Sequence, residues 1–131
     1  MQQIITLNNR PQDAYKQQDV LTASPIDLVV MLYDALKKNL VLGRRNIEKQ
    51  NLPNAHNHLI KSQLILTELI NSLDMKYEIS SELLELYQYS LRTLEQANMK
   101  KDPEAIGPII ELVDEIRSAW KEISIASKVQ S

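Results

Sequence analysis

Apolar residues recur every three or four positions through four long stretches of this chain, and no stretch alternates strictly over a strand's length. The first stretch, residues 20–47, opens on a helix start signal. Ser24 suits an N-cap, Pro25 the first helical position, and Asp27 the positive end of the helix dipole. At about 100° per residue, Leu28, Leu32, Ala35, Asn39, Leu42 and Asn46 share one sector, with Met31 and Leu36 at its edges. This is the expected core stripe. Val29, Tyr33 and Leu40 form a second apolar line beside it, and Asp27, Asp34, Lys38 and Arg45 a charged stripe opposite. The apolar arc thus covers about half the helix, against the roughly 100° that one packing face needs. The surplus calls for a cover.

The spacing predicts helices over residues 25–49, 53–73, 81–100 and from Asp102–Pro103 to about residue 125. In the second, Ala55, Leu59, Ser62, Leu66, Leu69 and Leu73 face one way, while Ile60 and Leu64 lie outside that face beside Thr67 and Asn71. In the third, with Ser80 as cap and Ile79 as hydrophobic staple, Leu84, Tyr87, Leu91, Leu94 and Asn98 line the core. Leu86 and Tyr89 point elsewhere. The fourth is one-sided: Ile106, Ile109, Val113, Ile116, Trp120 and Ile123 repeat at nearly heptad spacing, against a polar back of Glu111, Asp114, Glu115, Ser118, Lys121 and Glu122. Pro108 should kink or delay this helix. Trp120, if buried, offers the largest packing contribution, about 3–5 kcal/mol on truncation to alanine. Four helices with short links give an all-α, antiparallel up-down four-helix bundle over residues 20–126. Residues 1–19, polar and without period, read as a flexible arm, and residues 127–131 as a fraying tail.

Composition narrows the chemistry. The chain has 131 residues and a formal net charge of −2, so a broad basic footprint for nucleic acid is not expected. No cysteine is present, which removes disulfides and thiolate chemistry. No apolar run reaches the ~20 residues of a membrane span, and the N-terminus has no secretory signal pattern, so a cytoplasmic protein without membrane insertion is expected. His56 and His58 sit two apart and diverge by about 200° on a helix, which rules out joint metal binding. His58 falls at the core edge. A histidine on a bundle with Lys61 three residues on partly resembles a phosphotransfer domain, but Ser62 stands where that pattern has glycine. The lysines and arginines late in the first helix (Lys37, Lys38, Arg44, Arg45, Lys49) read as a solvated face. No carboxylate pair, phosphate loop or nucleophile elbow is present, so neither catalytic residues nor cofactors are expected.

Several motifs in order resemble the flagellar secretion chaperones of the FliS family. They are Ala14-Tyr15, the run Val20-Leu21-Thr22-Ala23-Ser24-Pro25, then Leu28 and Met31-Leu32-Tyr33-Asp34. Glu68-Leu69 with Leu73, Leu86-Tyr87-x-Tyr89 with Ala97-Asn98, and Arg117-x-x-Trp120-Lys121-Glu122 follow. The likeness spans about residues 14–123. Ala35 departs from a glycine common in the family, and Gly107-Pro108 interrupts a segment usually helical. The resemblance implies a non-enzymatic bundle that holds the C-terminal segment of flagellin, prevents premature polymerisation and passes it to the export apparatus. It also implies that the arm with Tyr15 covers part of the client surface when flagellin is absent. The surplus apolar lines suit an amphipathic helix in a groove. The expected client face is Tyr15, Val29, Tyr33, Leu40, Ile60, Leu64, Leu86 and Tyr89. The same surplus would also suit a homodimer.

Overall fold

A computed structural model describes residues 25–130, with side chains to residue 126. Four helices run α1 Pro25–Glu48, α2 Leu52–Asn71, α3 Glu78–Lys100 and α4 Ile106–Gln130. No strand occurs among the described residues. The architecture is the expected all-α four-helix bundle. Helix α1 packs on both α2 and α4, α2 packs on α3, and α3 and α4 approach each other much less. The bundle is therefore built around α1.

The turns explain the helix ends. After α1, Gln50 takes the left-handed conformation (φ 61°). Its N–H reaches the Ile47 carbonyl at 2.9 Å, and the Asn51 N–H reaches Asn46 at 2.8 Å. These two bonds form a Schellman closure that satisfies carbonyls otherwise orphaned. Asn51 then caps α2, its side-chain oxygen accepting the Asn54 N–H at 3.4 Å. At the other end of α3, Lys101 (φ 53°) plays the part of Gln50, and the Asp102 N–H reaches Ala97 at 3.0 Å.

Two helix starts differ from expectation. Helix α3 begins at Glu78, three residues early. Ser80 does not cap it; its hydroxyl is buried and donates to the Asp74 carbonyl at 2.6 Å, tying the turn down. Ile79 is exposed rather than stapled to the helix. Helix α4 begins at Ile106, so Pro108 lies in its first turn, where no intrahelical N–H bond is required. Proline has delayed this helix.

The core stripe of α1 is rotated from the expected one. Its buried positions are Leu32, Tyr33, Leu36, Leu40, Gly43 and Ile47. Positions 33, 36, 40, 43 and 47 follow the 3–4 spacing of a coiled-coil seam. Asn39 and Asn46, placed on the stripe by the wheel, are its borders instead. Their amides bond back to the Ala35 and Leu42 carbonyls at 2.8 and 2.7 Å. One of its five positions is Gly43, which carries no hydrophobic signal. Along α4, burial fades with distance from the α3–α4 link. Ile106, Ile109 and Val113 are buried, Ile116 and Trp120 only partly, and Ile123 is 48% exposed. Trp120 is thus not the principal core residue, and Tyr33 is the bulkiest of the fully buried side chains.

Three polar ties join α1 to α4: Asp27 with Ser124, Asp34 with Arg117, and Lys37 with Asp114 at 2.7 Å. So the polar back of α4 and the basic side of α1 are not wholly solvated. The Lys37 ammonium also holds the Asp114 carboxyl below its ordinary value.

Candidate functional site

The bundle's own packing decides which expected site residues are available. Tyr33 and Leu40 are not: both are fully buried, on the seam that α1 turns inward. The wheel placed them beside the core because it weighted Leu28, Ala35 and Leu42 and gave Gly43 nothing. Val29 is half-buried against the core. No large apolar residue of α1 is well exposed, but Leu28, Met31, Ala35 and Leu42 form a half-buried line beside the seam. Ile60 is half-buried on α2. Leu64 of α2 is 42% exposed, and Leu86 and Tyr89 of α3 are 37% and 56% exposed. Tyr15 lies outside the described residues.

Of the expected site residues, those that remain open lie on α2 and α3, two helices that pack against each other. Leu64 shares its side of α2 with uncharged Ile60, Thr67 and Asn71, and α2 carries no formal charges besides Lys61 and Glu68. Such a face desolvates at low cost against another helix. Met75, Tyr77 and Ile79, in the α2–α3 turn and the first turn of α3, are also well exposed. Helical periodicity has no meaning in a connection, so it assigns no face to Met75 and Tyr77, and the staple position expected for Ile79 is not taken up. Three large apolar residues at alternate positions of a short link were the available signal.

Beneath this surface lies a polar contact within the core. The hydroxyls of Tyr33 and Tyr87 bond to each other, with ring centroids 6.4 Å apart. Trp120 of α4 lies near the Tyr33 hydroxyl and slightly eases its ionisation. Burial pushes both tyrosine pKa values up, that of Tyr33 further because its hydroxyl also faces Tyr87. The group links α1, α3 and α4. Both tyrosine hydroxyls stay protonated at neutral pH, and nothing beside them would activate a nucleophile.

The histidines are structural. The His58 ring is 3.0 Å from the Asn39 oxygen, joining α2 to α1. The Ser62 hydroxyl donates to the His58 carbonyl at 2.9 Å. His56 meets the amide of buried Asn98 on α3 at 3.2 Å. Burial, then Lys61 and Lys38, hold the His58 pKa below its ordinary value. A base whose pKa is depressed on folding binds its proton more readily in the unfolded chain. Its contribution is therefore complete above about pH 6.5 and declines as pH falls from there through the depressed folded value. The midpoint of thermal unfolding should drop between about pH 7.5 and 5, and His58→Gln should flatten part of that drop.

The sequence profile described as "Flagellar protein FliS" matches residues 7–127. The flagellar secretion chaperone FliS of Bacillus subtilis is 36% identical over 112 residues, covering 86% of this chain and 84% of that one. Its counterpart in Salmonella typhimurium is 36% identical over 114 residues, covering 85% and 84%. That of Vibrio cholerae is 33% identical over 116 residues, covering 84% and 85%. A solved structure, described as a flagellar chaperone from bacteria, superposes with a TM-score of 0.73 over 89% of this chain and 99% of that one. At 16% identity it attests the fold alone. The chain belongs to the FliS family of flagellar proteins, and the relatives named above are flagellar secretion chaperones.

Proposed function

We propose, from membership of this family, that the chain is a cytoplasmic chaperone for flagellin. It binds flagellin's C-terminal segment, keeps it from polymerising early and delivers it to the flagellar export apparatus. The observation that supports this most is exposed apolar surface on α2 and α3 in a chain that matches the family along residues 7–127. No helix among the described residues is long and apolar enough to cross a membrane.

The client lies across Leu64, Leu86 and Tyr89, bordered by half-buried Ile60, as an amphipathic helix laid on an apolar face. Ordering a disordered segment costs about 2–5 kcal/mol or more, so several such anchors act together. Residues 1–19, with Tyr15, compete for part of this face, and the client displaces them by stronger binding. Tyr33 and Leu40 take no part, and Val29 contributes only from its half-buried edge.

Titration calorimetry with a peptide of flagellin's C-terminal segment tests this directly. The combined variant Leu64→Ser, Leu86→Ser and Tyr89→Ser should bind at least ~100-fold more weakly, since buried interface anchors are worth about 2 kcal/mol or more each. Its helical circular dichroism should stay native, because all three side chains face water. If the wild-type chain stays free of the peptide, as a monomer or a tight dimer by light scattering, the proposal fails. Equal binding by the variant would move the client to another face.

A further inference from the structure

Three large apolar side chains stand out together where α2 turns into α3. Met75, Tyr77 and Ile79 are 54%, 65% and 55% exposed. The turn that carries them is fastened. The Asp74 carboxylate accepts the Lys76 N–H at 3.0 Å. The Asp74 carbonyl accepts the Tyr77 N–H at 3.2 Å and the buried Ser80 hydroxyl at 2.6 Å. A tied turn that already holds apolar side chains in water gives up little freedom on binding.

The surface beside them is acidic. Residues 74–85 hold Asp74, Glu78, Glu82 and Glu85 against one lysine, Lys76. At about 100° per residue, Glu78, Ile79, Glu82 and Glu85 fall within an outward sector of roughly 120° on α3. The ion pairs among the described residues lie within α1 or between α1 and α4, so none engages Glu78, Glu82 or Glu85. The dipole of α3 accounts for a carboxylate in the first turn, but its influence has faded by Glu82 and Glu85. Leu86 and Tyr89 share this sector one turn beyond Glu82 and Glu85, so the patch adjoins the proposed client face at its acidic end, while Met75, Tyr77 and Ile79 lie two turns or more before it.

We propose that this end of the bundle is a second docking surface, which takes a basic amphipathic helix from a partner other than the client. Lysines or arginines of that helix meet Glu78, Glu82 and Glu85, and the apolar residues between them cover Met75, Tyr77 and Ile79. The fit follows from charge: four carboxylates around an apolar centre attract a cationic segment and repel an acidic one. Because these charges are exposed, the attraction is screened by salt.

The test uses the full chain and two fluorescent peptides of about 18 residues, one of leucine and lysine at helical spacing, the other with glutamate for each lysine. Anisotropy should report binding of the lysine peptide alone, weakening at least ~10-fold between about 50 and 300 mM salt. Two variants, Met75→Ser/Tyr77→Ser/Ile79→Ser and Glu78→Lys/Glu82→Lys/Glu85→Lys, should each lose at least ~10-fold while keeping native circular dichroism. Saturating flagellin peptide should leave the lysine peptide bound. Equal binding of both peptides, or variants within about twofold of wild type, overturns the proposal. So does displacement by the flagellin peptide, which would make the patch part of the client face. Sedimentation showing that the serine variant turns a dimer into a monomer would give the patch to a second copy. Binding that emerges only after removal of residues 1–19 would give it to the chain's own N-terminal segment.

Discussion

Tyr33→Asp should leave no folded protein at room temperature. The residue opens the α1 seam with no exposed surface, its hydroxyl bonded to that of Tyr87. Losing a buried aromatic ring costs about 3–5 kcal/mol. A carboxyl group left there without adequate partners costs several more. Together these match the ~5–15 kcal/mol that holds a typical domain together. Far-ultraviolet circular dichroism should show the helical signal lost, and client binding lost with it. Tyr33→Phe separates the ring from the hydroxyl. It keeps the packing, deprives Tyr87 of a partner, and should cost about 1–3 kcal/mol in urea unfolding. Alkali should bring out the same group. An acid whose pKa is raised by folding contributes fully below its unfolded value, near 10 for tyrosine, and loses that contribution as pH rises beyond it. Wild-type stability should therefore fall above about pH 10, and less so in Tyr33→Phe.

The second large effect concerns the contact of α1 with α2. A Cβ placed on Gly43 would lie 2.5 Å from Leu59 Cδ2 and 3.0 Å from Leu59 Cγ. Leu59 is itself fully buried, so any shift of its side chain has to be taken up within the packed interior. Alanine for glycine inside a helix ordinarily gains about 1 kcal/mol. Here overpacking of about 1–3 kcal/mol should outweigh it, so Gly43→Ala lowers stability despite the better propensity. Leu59→Ala alone should cost about 2–5 kcal/mol through the cavity it leaves. The double variant should be more stable than the sum of the two losses, by at least ~1 kcal/mol, since each change relieves the other. Urea titrations of the four proteins settle the sign. Strict additivity would mean that α1 and α2 simply move apart.

The fold was legible because its signals are long and repeated. Four amphipathic stretches, prolines at or near the starts of three of them and short links leave little choice besides a bundle. The direction in which α1 faces was not legible, and Gly43 explains why. A hydrophobicity wheel assigns glycine no weight, yet the closest helix–helix approach selects it, so the computed stripe drifted toward Leu28, Ala35 and Leu42. Tyr33 and Leu40 were misplaced for the same reason, and with them the part of the client face assigned to α1. On α2 and α3 no such residue interferes, and the wheels correctly left Leu64, Leu86 and Tyr89 outside the core. Ser80 shows a different limit. A serine before an apolar run looks like a cap, but its hydroxyl had a better acceptor in the Asp74 carbonyl six residues back. Trp120 shows a third: the stripe on α4 continues as a pattern while its burial lessens, since α4 packs chiefly on α1 and has little contact with α3.

The polar ties between α1 and α4 carry a consequence for how such chains can vary in length. Asp27, Asp34 and Lys37 are separated by seven and three residues, and so are their partners Ser124, Arg117 and Asp114 counted backwards. Matching intervals on two opposed helices behave like the teeth of a zip. One residue inserted between Asp114 and Arg117 would swing all that follows by about 100° and disengage two teeth in a single step. Lengthening by duplication or slippage is thereby confined to the links, and homologous chains should differ in size at their turns while keeping these intervals constant.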